Sequence, residues 1–170
     1  MERLPMMLKA IEAEIKEAVT KRKQGWEQLD TGGLKPDLQT LFEKMNQRDK
    51  NVVLTYLKSS YVTKSHRFKL AVYEGAPFVE LYPSTYNLNM SVLFQDIEAD
   101  LDRLHRKLRQ QFFRMMASEE EEIRRYYMEL LYLESATFFK QLFLEFPKDI
   151  PLPPIYFGAE LGEVRLLEEL

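Results

Sequence analysis

Two histidines, His66 and His105, and a few carboxylates are the side chains with which this sequence can do chemistry. Asp102-Arg103-Leu104-His105 places a carboxylate and an imidazole three residues apart, on one face of a helix, where the two can share a metal ion. Helical di-iron bundles need two Glu-x-x-His motifs and two further carboxylates. A single Asp version occurs here, so Asp102 and His105 are read as a surface pair, and no metal or other cofactor is expected. Ser65 and His66 are neighbours, and neighbours on a strand point to opposite faces, which rules them out as a nucleophile and its base. The chain has no cysteine and therefore no thiolate nucleophile or ligand. Nucleophile-elbow, phosphate-loop, dinucleotide-glycine and His-Glu-x-x-His patterns are all missing.

Glu134 has Leu130, Leu131, Thr137 and Phe138 as helical neighbours. An unpaired carboxylate in such surroundings has a raised pKa and can act as a general acid or base. The plainer reading is a structural ion pair, with Arg22 the best partner because it too interrupts an apolar stripe. Arg67, with Lys64 and Lys69, and the helical run Arg103, Arg106, Lys107, Arg109 and Arg114 form basic stretches of the kind that track phosphates. Asp96, Glu98, Asp100 and Asp102 balance the helical run, and the pI is near 5.6, so nucleic-acid binding is not expected. The candidate ligand or partner residues are thus His66, Arg67, Asp102, His105 and Glu134, and none is assigned a catalytic role.

The elements that must hold these residues follow from composition and periodicity. With 170 residues, 45% hydrophobic and 30% charged, the chain has the balance of a globular protein. The net charge of −3 is unevenly spread: residues 1–117 carry 19 Lys and Arg against 15 Asp and Glu, and residues 118–170 carry 5 against 12. No run of about 18 apolar residues occurs, and Met1 to Thr20 is studded with charge, unlike a secretory signal. No membrane association and a cytoplasmic location are expected.

Leu4, Leu8, Ile11, Ile15, Ala18, Trp26 and Leu29 form a helical stripe that ends at Thr31-Gly32-Gly33. A second helix is predicted from Pro36 to about Tyr61, with a polar bend over Asn46 to Asn51. Phe68, Leu70 and Val72 alternate with polar residues and Ala71, which predicts a strand; Glu74 to Pro77 reads as a turn and Phe78 to Tyr82 as the return strand. A third helix is expected over Ser91 to Met116, a break at Met116 to Ser118, and a fourth helix capped by Ser118 and Glu121. Leu130, Leu133, Phe138, Phe139 and Leu142 make that last helix the core element. Pro147, Pro151, Pro153 and Pro154 impose an extended connection, after which Ile155 to Leu170 is read as a weak helix docked on the rest.

The expected fold is therefore mainly α: a single helical domain over 1–170, a bundle of about four long helices with a short β-hairpin at about 66–82, and a Pro-bounded C-terminal segment. The expected function is a non-catalytic protein-interaction or regulatory module, with a protein partner or a second copy as its ligand. The alternative is an enzyme or small-molecule binder with a pocket between the hairpin and helices three and four.

Overall fold

The computed structural model describes residues 3–45, 50–79 and 81–170. Residues 46–49 of the expected polar bend, and Glu80 of the expected return strand, lie outside them. In chain order the elements are α1 (Arg3–Ala10), α2 (Glu12–Trp26), α3 (Leu34–Lys44), β1 (Asn51–Tyr56), α4 (Ser60–Thr63), β2 (Arg67–Tyr73), β3 (Ser84–Asn89), α5 (Ile97–Gln111), α6 (Ala117–Leu144), β4 (Ile155–Ala159) and β5 (Val164–Leu166). The strands form one mixed sheet in the order β3-β2-β1-β4-β5. The fold is α/β, which corrects the expected helical bundle with a lone hairpin.

Three corrections account for the difference. Residues Asn51–Tyr56, read as the end of the second helix, are the central strand β1. A strand covered on both faces is a continuous apolar run, and period alone does not separate it from a helix. The strand that follows and pairs with β2 is β3, one segment later than the expected return strand, and β1 pairs with its other side. Ile155 to Leu166 forms β4 and β5 rather than a helix, and β4 lies parallel to β1, with Leu54 opposite Phe157.

The chain divides into two compact units, one made of residues 3–29 and 94–134 and the other of residues 30–93 and 135–170. The first unit holds α1, α2, α5 and the first part of α6. Ile11, Ile15, Ala18 and Trp26 are buried along the predicted N-terminal stripe, where Leu4 and Leu8 are half-buried and Met7, outside the stripe, is buried instead; Leu101, Leu104 and Leu108 are buried along that of α5. The third helix is shorter than expected: α5 starts at Ile97, after Asp96 at φ 59°, and stops at Gln111. Arg3 donates to the carbonyls of Phe113 and Arg114, both at 2.8 Å, across the link between α5 and α6. Glu119, rather than the expected Ser118 and Glu121, caps α6, its carboxylate accepting the Met116 N–H at 2.8 Å while pairing with Arg3 at 3.3 Å.

The second unit holds α3, the sheet and the rest of α6. Val52, Leu54, Tyr56, Phe68, Leu70 and Phe157 share one sheet face by register. Phe139 of α6 packs on that face, its ring 5.4 Å from Phe68 and 6.3 Å from Phe157. Phe42 of α3 meets Phe143 and Phe146 edge-on at 5.5 and 6.0 Å. On the opposite face Val53, Ala71 and Tyr73 form a smaller buried cluster with Tyr156 and Val164 against it. Along α6, Phe138, Phe139 and Leu142 are buried as expected of a core helix, but Leu133 is 52% exposed and Leu130 half-buried.

Candidate functional site

Among the described residues, strand β3 is an edge of the sheet, hydrogen-bonded to β2 alone. Pro83 precedes it, and the Met90 N–H donates to the His66 carbonyl at 3.0 Å just past its end. Backbone groups of an antiparallel strand point alternately toward and away from the partner. That hydrogen bond therefore assigns the N–H and C=O groups of Ser84, Tyr86 and Leu88 to β2, and those of Thr85, Asn87 and Asn89 to the open side. All residues of β3 are exposed except Leu88, which is half-buried. The segment leading into it is apolar and exposed as well: Val79 is 75%, Leu81 85% and Tyr82 88% exposed, and Phe78 lies with its ring 5.5 Å from Tyr73. From Leu81 to Gln95 the sequence has no charged residue.

Natural edges are normally blunted by lysine, proline, a bulge or shortness. Six residues without a charge or an internal proline are an open template for a further strand. The opposite edge, β5, has only three residues.

The residues singled out from sequence are divided between the two units, His66 and Arg67 in the second and Asp102, His105 and Glu134 in the first. His66 is buried at φ 44°, a left-handed conformation uncommon for a residue with a side chain, and its carbonyl anchors the end of β3. Arg67 opens β2, exposed and opposite Asn89. In the first unit, Asp102 and His105 share α5 but not an environment. Asp102 is exposed and His105 is buried. Burial lowers the His105 pKa, with Arg109 acting in the same direction and Glu120 opposing. The His105 Nε2 has no hydrogen-bond partner among the described residues. Glu134 is half-exposed and pairs with Lys23, not Arg22.

Arg22 belongs to a different cluster. It donates to Asp100 Oδ2 at 2.6 Å and to the Gln95 carbonyl at 2.6 Å. Tyr127 donates to the same Asp100 oxygen at 2.8 Å, and Arg103 to the other at 2.8 Å. Burial, then the hydrogen bond to Asp100, raises the Tyr127 pKa, so the phenol stays neutral. For Arg22 burial opposes the charge, but the hydrogen bonds with Asp100 and Tyr127 outweigh it and raise the pKa. Three donors from three residues converge on the Asp100 carboxylate, which makes the cluster a structural brace rather than a reactive centre.

A groove of about 360 Å³ lies in the second unit between the end of α6 and residues 152–168, lined by Phe143, Leu152, Ile155, Leu166 and Leu167 with Lys140. It contains none of His66, Arg67, Asp102, His105 or Glu134. Among the described residues no group of three or more His, Asp or Glu side chains is placed to hold a metal ion, and no helix is long and apolar enough to cross a membrane. Compared with family models, curated proteins and solved structures, the chain matches none.

Sequence reasoning passed over β3. The signal that marks it is the uncharged run from Leu81 to Gln95 in a chain 30% charged. Pro83, Asn87 and Asn89 interrupt the apolar residues there and give the segment the composition of a loop.

Proposed function

We propose that this chain is a non-catalytic protein-interaction module of the cytoplasm that binds partners by strand addition at β3. One observation carries the reading: an exposed, uncharged edge strand whose open side presents the backbone groups of Thr85, Asn87 and Asn89. Main-chain hydrogen bonds supply affinity in this mode of recognition, and the alternate side chains supply specificity. The exposed residues Val79, Leu81 and Tyr82 add apolar area beside the strand. The basic residues of α5 support a protein rather than a nucleic-acid partner, since Arg103 pairs with Asp100, Lys107 with Glu14 and Arg109 with Glu120.

The test is a photo-crosslinking amino acid placed at position 87 in living cells, with position 161 as the control because Leu161 is fully exposed. Discrete adducts at 87, absent at 161 and lost when Thr85→Pro is added, support the reading. The same adducts at both positions refute it.

A second reading, a binder of small apolar molecules, rests on the groove beside Lys140, whose ammonium donates to the Glu168 carbonyl at 2.9 Å. Saturable binding of an apolar fluorescent dye, abolished by Leu152→Glu and untouched by Thr85→Pro, supports it.

A further inference from the structure

We propose that one occupant of the β3 edge is a second copy of this chain, paired antiparallel about a two-fold axis that passes beside Asn87. The inference rests on the strand-addition reading above and names its partner.

Self-pairing puts each residue of the strand opposite a residue of the same strand, so a charged residue at the axis faces its own like charge. The run from Leu81 to Gln95 has none, whereas both flanks resume with charge at Glu80 and Asp96. An edge evolved to capture a charged foreign segment gains from complementary charge; a self-complementary edge gains from neutrality. An isologous contact needs one patch that fits itself, and Asn87 meets that need, because an amide carries both donors and an acceptor and can pair with its own copy.

The register follows from which groups are free. Only residues whose backbone faces the open side can form hydrogen-bonded pairs across the axis, and these are Thr85, Asn87 and Asn89. Centring on Asn87 puts Thr85 opposite the Asn89 of the other copy, and every free backbone group of the three residues finds a partner. Tyr86 then faces Leu88 of the other copy, an aromatic-aliphatic pair on the same face as Phe68 and Leu70. Centring on Tyr86 instead sets Asn89 opposite Pro83, which has no N–H to donate. Centring on Leu88 sets Thr85 opposite Ser91, beyond the end of the strand, so the Asn87 register alone pairs all three residues within β3 and leaves Pro83 outside.

A strand of six residues with a short apolar flank buries an area toward the small end of stable interfaces, so the dimer should dissociate in roughly the micromolar range. The chain's lack of cysteine gives a direct test of the register. Opposed residues of a hydrogen-bonded antiparallel pair lie about 5.5 Å apart at Cα, within the span of a disulfide. Asn87→Cys should therefore form a covalent dimer with added oxidised glutathione at least about tenfold faster than Leu133→Cys, a second exposed site. Light scattering over a concentration series should show the wild-type chain passing from monomer to dimer. Asn87→Pro removes an N–H that β2 does not use, so it should weaken the dimer about tenfold or more and leave the melting temperature unchanged. Asn87→Lys should weaken it too, with partial recovery in high salt.

A wild-type chain that stays monomeric throughout overturns the inference, as does dimerisation indifferent to both substitutions or equal crosslinking at the two cysteine positions. A monomeric chain that still gives Thr85→Pro-sensitive adducts from position 87 overturns the self-pairing alone and leaves strand addition standing. Loss of both overturns both.

Discussion

Replacing Asp100 with alanine strips the Arg22 guanidinium of its carboxylate in a place where water does little to replace it. The Arg22 side chain is 12% exposed and that of Asp100 18%, and their N···O distance is 2.6 Å. Removing one partner of a buried pair costs about 3–5 kcal/mol, since the other charge is left without compensation. Tyr127 also loses the acceptor for its hydroxyl. For a chain of this size about 1 kcal/mol moves the melting temperature by roughly 2–4 °C. Asp100→Ala should then lower it by about 6–20 °C. Arg22→Leu combined with Asp100→Leu should recover much of the loss, because no uncompensated charge remains. The half-exposed pair of Lys23 and Glu134 is the internal comparison: Glu134→Gln should cost at most about 1 kcal/mol. Urea and thermal unfolding by circular dichroism measure all three variants. A loss below about 1 kcal/mol for Asp100→Ala would show that solvent compensates Arg22, and the brace assigned to this cluster would be wrong.

Phe139 is fully buried among Phe68, Phe138, Phe143 and Phe157, so Phe139→Ala should cost about 3–5 kcal/mol in urea unfolding, and a loss under about 1 kcal/mol would contradict that packing. A Cβ at Gly158 would lie 2.2 Å from the Glu163 carbonyl oxygen and 2.9 Å from Val164 Cγ1, so Gly158→Ala must separate β4 from β5; it should destabilise by about 1–3 kcal/mol, and an unchanged midpoint would refute the close approach. The His105 pKa is lowered in the folded chain by burial, so the unfolded chain binds the proton more tightly. Its contribution to stability is present above the unfolded value of about 6.5 and is lost as the pH falls through the folded value. His105→Gln should accordingly flatten the fall in melting temperature below about pH 6.5, and a slope identical to wild type would remove His105 from the account. Glu119→Ala should cost about 1–2 kcal/mol, as it uncaps α6 at Met116 and frees Arg3, and thermal unfolding measures it directly.

Local signals carried the reading wherever an element buries one face. The stripes of the N-terminal helices and of α5 were legible, because Ile11, Ile15 and Ala18, and likewise Leu101, Leu104 and Leu108, follow the helical period that burial of one face imposes. The alternation of Phe68, Leu70 and Val72 marked β2 for the same reason at a period of two. The separation of α5 from α6 was legible too, although its cap was not: Glu119 was chosen over Glu121 by Arg3, a residue far away in sequence. The open edge of β3 is written in a missing charge rather than in a motif, a pattern that acquires meaning only once the strand is known to be an edge.

Tertiary structure alone decided the centre of the sheet. Val52, Val53 and Tyr56 fit a helical stripe as well as a strand when read in isolation, and they and Leu54 are buried because both faces of β1 are covered. What makes the segment a strand is β2 on one side and β4 on the other, the latter contributed by residues about a hundred positions further along the chain. The same holds for Ile155 to Ala159, whose backbone N–H and C=O groups are satisfied by β1 and β5 rather than by a helical turn. The partners of Arg22 and Glu134 were likewise beyond the sequence. The need for compensation is intrinsic to a charge leaving water, but which carboxylate or cation supplies it depends on which helix face lies opposite, and that is a property of the packed chain.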